Sequence, residues 1–236
     1  MKHRFLDIAS RLRDVVVAIV VLVVSSPILL CVMVAVRLTM GSPVLFRHNR
    51  LGRGGQQFQM LKIRTMQPAK RGRENSRYDS ERLTRLGRLL RVTSLDELPS
   101  FINLLRGDIT LVGPRPLPVH YWSRFVDDEY RRFEVRPGIT GHAQVQGRNT
   151  IAWSDRLALD VYYVQNRSLR GDLAIMLKTV PVVLTGQGVN ERVGQTMEEL
   201  PPDRRKGERR VSFEPWLAGR ERRTIQRGVR VADETS

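Results

Sequence analysis

The chain has 236 residues, 41% of them hydrophobic, with 40 Lys and Arg against 24 Asp and Glu, a net charge of +16 and one cysteine, Cys31. That length holds one full hydrophobic core plus appendages and excludes two large domains, and a lone cysteine excludes an intrachain disulfide, which fits a reducing compartment. The basic excess asks for an anionic partner, whether nucleic acid, a nucleotide or the cytoplasmic face of a membrane, while four scattered histidines form no zinc pattern.

Residues 1–64 carry ten Lys and Arg against only Asp7 and Asp14. The charge excess therefore surrounds the most apolar stretch of the chain. Lys2, Arg4, Arg11 and Arg13 alternate with Phe5, Leu6, Ile8 and Leu12, which suits a short basic helix on a membrane surface; a frayed, solvated terminus would read the same way. From Val15 to Val36 there is no charge, and a helix of that length reaches about 33 Å, enough to cross a bilayer. A secretory signal is disfavoured, because the run is too long and no small-x-small site follows it.

Ser25-Ser26-Pro27 interrupts this run. Proline removes an N–H and crowds the carbonyl of Val23, so a sharp bend is expected. A proline-kinked helix that still spans is the alternative. Arg11 and Arg13 before the segment and Arg37, Arg47, Arg50 and Arg53 after it mark both flanks as cytoplasmic, which favours a re-entrant helix that enters, breaks at Ser26-Pro27 and returns.

Residues 42–66 alternate short apolar runs around Gly52-Arg53-Gly54-Gly55, the pattern of a two-stranded hairpin. The glycines read as a plain turn before they read as a phosphate cradle. Lys62 and Arg64 would share one strand face, as anion contacts or as solvated charges. Residues 67–79 read as a loop, and from Ser80 to Arg91 Leu83, Leu86, Leu89 and Leu90 recur at helical spacing between arginines, predicting a basic amphipathic helix. Its leucines could face the core or acyl chains.

Thr93-Ser94-Leu95-Asp96-Glu97-Leu98-Pro99-Ser100 places two adjacent carboxylates at a predicted helix start. Ser94 and Glu97 have capping-box spacing, so capping and chemistry are both open. The surroundings shift the balance: Arg82, Arg85, Arg88 and Arg91 run up to the motif, Gly113-Pro114-Arg115-Pro116 follows it, and guanidinium groups at a helix start suit phosphate. An aspartate there could attack phosphorus, with a neighbouring glutamate holding the cation that offsets phosphate charge.

A helix from Asp96 to Leu105 and a strand at Ile109–Val112 are expected next, then a helix over residues 118–133. The glycines of Val135-Arg136-Pro137-Gly138-Ile139-Thr140-Gly141 would permit close approach of backbone to a ligand. Residues 144–149 read as strand and loop, Trp153 to Tyr163 as helix, and Asp172 to Leu184 as a helix too short to cross a bilayer. The composition from residue 190 to residue 236 is that of a charged, flexible tail.

Together these motifs resemble the bacterial sugar transferase family, the monotopic polyprenol-phosphate phosphoglycosyl transferases. The resemblance rests on Arg11-Leu12-Arg13-Asp14, Ser26-Pro27, Phe58 to Met66, Thr93 to Pro99, Gly107-Asp108, Leu111 to Pro116, Arg136 to Gly141 and Gly147-Arg148-Asn149. These run in the family's order from residue 5 to residue 189. The size is similar to the minimal, single-domain members, including the diacetylbacillosamine-phosphate transferase type; the departures are Arg13, where an aromatic is usual, and the tail.

The resemblance implies a mainly helical α+β fold with a re-entrant membrane helix over residues 1–41, a catalytic domain over 42–189 with interfacial amphipathic helices and a small β-hairpin, and the tail. It implies a monotopic enzyme on the cytoplasmic face of the bacterial inner membrane. Asp96 would attack the β-phosphate of a UDP-sugar and expel UMP, and undecaprenyl phosphate would then take the sugar phosphate from the carboxylate. Glu97 would bind Mg2+, Arg91 and Arg115 would hold phosphate oxygens, and Lys62, Arg136 and Arg148 would contact nucleotide or phosphate.

Two rivals remain at this stage. A non-enzymatic basic membrane protein that binds anionic lipid or nucleic acid fits the charge, but nucleic acid is not expected, because only 6% of residues are aromatic and could stack on bases. A bitopic enzyme of the same chemistry differs only in topology, and a homodimer is left open.

Overall fold

The first helix, α1, runs from Lys2 to Met40 in the computed structural model, which describes residues 2–69, 78–147, 151–184 and 200–201. It is long and apolar enough to cross a membrane, and Val16, Val20, Val23, Val24, Ile28, Leu30 and Val34 are at least half exposed. In water each such side chain would forgo about 1.5–3 kcal/mol of burial, in sum comparable to the ~5–15 kcal/mol stability of a whole domain. The surface belongs in lipid, and α1 is a membrane segment.

The break expected at Ser26-Pro27 does not interrupt the helix. Pro27 withholds the N–H that would bond the Val23 carbonyl, and the Ser26 hydroxyl donates to that carbonyl at 2.8 Å while Ser25 donates to Val21 at 2.6 Å. The turn survives the proline because a side chain replaces the missing donor.

Both halves of α1 dock on the domain that follows. In the first half Ala18 is fully buried beside Leu104, Ile109, Val112 and Tyr163, and Arg11 donates to the carbonyls of Leu104 and Leu105 at 2.7 and 2.6 Å. Asp14, 1% exposed, accepts from the Thr110 hydroxyl at 2.6 Å and pairs with Arg13, which also reaches Asp172 at 2.9 Å. Arg13 thus bridges two buried carboxylates. In the second half Val36 and Met40 pack with Ile63 and Leu90.

After Gly41, the expected hairpin forms from β1 (Leu45–Leu51) and β2 (Gln57–Ile63), antiparallel, with the turn at Arg53–Gly55. Arg64 does not share a face with Lys62. It turns inward to 8% exposure and donates to the carbonyls of Met40, Gly41 and Ser42, closing the C-terminal end of α1 as a cation should.

The single helix expected from Ser80 to Arg91 is two, α2 (Asp79–Arg82) and α3 (Arg85–Val92). Thr84 divides them, its hydroxyl capping α3 by accepting from the Gly87 N–H at 2.9 Å. Leu83 and Leu90 face the core, whereas Leu89 is 58% exposed. The core orientation thus holds for Leu83 and Leu90 and not for Leu89.

The helix expected to begin at Asp96 begins at Ser100 and runs to Arg106 as α4, preceded by a 3-10 turn at Leu95–Glu97. Asn103, fully buried, fixes α4 to the free edge of β2: its Oδ1 accepts from the Leu61 N–H at 3.0 Å and its Nδ2 donates to the Gln59 carbonyl and to Asp108, both at 2.8 Å. Asn103→Leu should therefore lower the unfolding free energy by about 2–4 kcal/mol in a denaturant titration, because two buried backbone groups of β2 lose their partners.

Parallel strands β3 (Thr110–Val112) and β4 (Gly138–Thr140) form a second small sheet. Around it the glycines serve backbone-on-backbone contact, not the ligand approach expected of them. A Cβ on Gly138 would lie 2.1 Å from the Gly113 nitrogen, and one on Gly141 2.2 Å from the Gly113 carbonyl oxygen. The loops carrying Arg115 and Arg136 are thereby pressed together.

Residues 118–133 form two 3-10 segments, Val119–Arg124 and Asp127–Glu134, not one helix. Asp127, at the start of the second, has φ 43°, which a helix running in from the first could not continue through. Of residues 144–149, expected as strand and loop, 144–146 fall instead in α5 (His142–Gln146) and 148–149 lie outside the described residues; α6 (Trp153–Gln165) and α7 (Leu169–Leu184) follow. Of the tail, Leu200 and Pro201 lie within the described residues, and Leu200 is fully buried.

Candidate active site

The stretch that reads as a capping box is not one. Ser94 has φ 57° and makes no capping bond, and the Ser100 hydroxyl donates instead to the Glu97 carbonyl at 2.6 Å. A serine in the left-handed region costs about 1 kcal/mol or more and persists where surrounding structure holds it, commonly at functional sites. Its consequence is to turn Asp96 inward, to 7% exposure, while Glu97 stays partly exposed. Leu95, just before them, packs on the apolar cluster of Val36, Met40, Ile63 and Leu90. The two carboxylates thus follow a residue anchored in the cluster that also takes the end of α1.

Burial pushes the Asp96 carboxyl up to about 6; Lys62 and Arg91 oppose that rise and Glu97 adds to it. Such a group is more basic than a surface aspartate yet still ionised at neutral pH. Lys62 Nζ lies 2.5 Å from Glu97 Oε1, and Arg91 is aimed by its Nε–H on the Thr65 hydroxyl at 3.1 Å.

Arg115 is exposed between two buried prolines, and its carbonyl accepts from Arg132 Nη2 at 2.7 Å. Arg132 in turn pairs with Asp160 at 2.8 Å, the two side chains being 2% and 4% exposed. A buried ion pair on α6 thus anchors the loop that carries Arg115.

Two residues escaped the sequence reading. His48 and Arg50 stand two apart on β1, on the face that Phe46 shares with its cross-strand partner Lys62. Arg50 Nε donates to His48 Nδ1 at 2.8 Å. Burial, then the charges of Arg50, Lys62 and Arg115, hold the His48 imidazole down to about 3, so it is neutral. Burial and Arg115 bring Arg50 to about 10, still charged at neutral pH. The strand alternation that paired Lys62 with Arg64 would have found these two had it been carried across the hairpin.

Of the site residues named from sequence, the fold groups Asp96, Glu97, Lys62, Arg91 and Arg115. Arg136 is on the loop that abuts Gly113, its carbonyl oxygen 2.5 Å from where a Gly113 Cβ would stand. Arg148 lies outside the described residues. The cluster carries more positive than negative charge, which suits phosphate groups. Among the described residues no three His, Cys, Asp or Glu converge; the available oxygen donors suit a hard divalent cation shared with substrate phosphates, not a closed protein cage.

The family model for bacterial sugar transferases matches residues 5–186. The chain is 44% identical over 193 residues to the uncharacterized sugar transferase EpsL of Bacillus subtilis, covering 82% of this chain and 96% of that one. It is 42% identical over 189 residues to the UDP-glucose:undecaprenyl-phosphate glucose-1-phosphate transferase of Caulobacter vibrioides, covering 76% of this chain and 71% of that one. The exopolysaccharide production protein ExoY of Sinorhizobium fredii is 37% identical over 206 residues, with 77% and 88% covered. With an apolar N-terminal helix, a buried carboxylate among arginines, and a match of this extent, the chain belongs to the bacterial sugar transferase family.

Proposed function

We propose that this protein moves a sugar-1-phosphate from a UDP-sugar to undecaprenyl phosphate through a covalent intermediate on Asp96, as an early step in building a surface polysaccharide. The observation that carries the reading is a buried carboxylate raised to about 6 and faced by Lys62 and Arg91, next to a leucine packed in the cluster that takes the end of the membrane helix. A nucleotide sugar is cytosolic and a polyprenol phosphate lies among lipid headgroups. An enzyme that joins them needs its nucleophile where the two phases meet.

In the first step an Asp96 oxygen forms a bond to the β-phosphorus, and the bond from that phosphorus to the bridging oxygen breaks, so UMP leaves with the electron pair. In the second, an oxygen of undecaprenyl phosphate attacks the same phosphorus and the Asp96–phosphorus bond breaks, regenerating the carboxylate. Arg91, Arg115 and Lys62 stabilise the phosphoryl oxygens, where fixed cations strengthen as charge develops. Arg50 adds a further cation behind them. Glu97 would hold Mg2+, exchanging its Lys62 partner for a cation that would offset the charge of the diphosphate.

Incubation with a panel of UDP-sugars and undecaprenyl phosphate in Mg2+ should release UMP stoichiometrically with a sugar-diphospholipid for at least one sugar. The Caulobacter relative, a UDP-glucose enzyme by its name, makes UDP-glucose the first sugar to try. No UMP from any sugar would rule the proposal out.

We also propose that α1 is re-entrant, bending at Pro27 with its hydrogen bonding kept by Ser26 and returning to the cytoplasmic leaflet that it entered. A spanning helix separates its ends by a bilayer, whereas here both ends are tied to one domain, through Arg11 and Asp14 at the start and Val36 and Met40 at the end. In a Cys31→Ser background, Phe5→Cys and Arg47→Cys should both be labelled only from the cytoplasmic side. Labelling from opposite sides would establish a span.

A further inference from the structure

Leu200 follows a stretch of sequence with the composition of a tail, yet it is fully buried in the cluster that contains Leu51, Leu117 and Tyr121. Its carbonyl accepts from Arg124 Nη1. A leucine buried to this degree contributes about 1.5–3 kcal/mol, enough to seat a short segment. One member of that cluster borders the candidate site. Leu117 closes the Gly113-Pro114-Arg115-Pro116 loop, and its carbonyl accepts from the Leu51 N–H at 2.9 Å. One residue further, Pro118 bridges Arg50, and Arg50 also donates to the Pro116 carbonyl at 3.4 Å.

The Arg115 loop is thus held on one side by Arg132 and on the other by β1, and Leu200 shares the buried cluster of Leu117, the residue that follows the loop. We propose that Leu200 is a positioning residue for the transfer reaction: buried in the cluster that contains Leu117, it steadies that residue so that Arg115 faces the donor diphosphate. The inference rests on the phosphate-binding role given to Arg115 above. Leu200 touches no reacting atom and acts through the loop. A segment that looks dispensable in composition would then tune how tightly the donor is held.

A double-mutant cycle on the full-length protein tests this, reading UMP release at subsaturating UDP-sugar in the presence of Mg2+. Leu200→Ala should lower kcat/KM about tenfold, chiefly through KM, and Leu200→Met should restore it to within about twofold. In an Arg115→Gln background the same Leu200→Ala change should cost less than about twofold, since two residues acting in one chain of contacts are not additive. Leu200→Val, a smaller truncation, gives a graded loss of about threefold and decides the matter should Leu200→Ala fail to fold.

An equal loss in both backgrounds would overturn the inference, because it would mark a general effect on the fold. No loss in either would overturn it too. Arg115→Gln with full activity would instead bring down the role of Arg115 itself, and the Leu200 inference with it.

Discussion

Asp96→Asn should give a protein that is folded, more stable than its parent near neutral pH, and inactive. Burial, only partly offset by Lys62 and Arg91, raises the carboxyl from 3.8 to about 6. Between those values the folded chain binds more protons than the unfolded one, so its stability falls as pH rises through the window. Above pH 6 the ionised aspartate costs up to about 3 kcal/mol, at about 1.4 kcal/mol for each pKa unit.

Asparagine fills the same space without the charge. Its melting temperature should exceed the parent's at pH 7.5, and the two should converge below pH 4, where both side chains are neutral. Activity moves the other way, since an amide is a poor nucleophile, and UMP release should fall on the order of 10^3-fold or more. In the parent, the rate should drop about tenfold per pH unit below 6 as Asp96 takes up its proton. A catalytic group that opposes the stability of its own fold is what a buried nucleophile entails.

Arg132→Met should be the most destabilising of the changes considered, by about 3–5 kcal/mol in chemical denaturation, because Asp160 would stay buried without its hydrogen-bonded cation, leaving only the more distant charge of Arg156. The pair is 2.8 Å long with almost no solvent contact. Adding Asp160→Leu should recover most of that loss, since an apolar pair of similar volume can replace a buried ion pair at little cost. The double variant should nevertheless stay slow. Arg132 also holds the Arg115 carbonyl, and neither Met nor Leu can do so. Stability and kcat/KM should therefore separate in the double variant; recovery of both would mean that the carbonyl contact has no part in catalysis.

Local chemistry and period made much of this molecule legible in its sequence. The uncharged run from Val15 to Val36, the glycine turn between two strands, and the helices over Trp153–Tyr163 and Asp172–Leu184 stand where their patterns put them. The carboxylates were found because arginines gathered around them. What the sequence hid were contacts between distant segments. Nothing local says that Arg64 turns back to close α1, that Asn103 satisfies the edge of β2, or that Leu200 re-enters the core.

Where a local rule misled, another residue had replaced its effect. Ser26 supplied the donor that Pro27 lacks, so α1 continued where a break was expected. Ser94 took a left-handed conformation, so a capping-box pattern produced no cap and buried the aspartate instead. The glycines of the two Arg-Pro loops face each other's backbone, a use that a single sequence cannot distinguish from approach to a ligand.

The central claim is that Asp96 becomes covalently attached to phosphorus, and the intact mass of the protein tests it most directly. After incubation with a reactive UDP-sugar and Mg2+ but no lipid acceptor, the mass should rise by one sugar phosphate, map to the peptide holding Asp96, and return to its starting value when undecaprenyl phosphate is added. A protein that turns over UDP-sugar yet never gains mass, or gains it equally well as Asp96→Asn, would contradict the account.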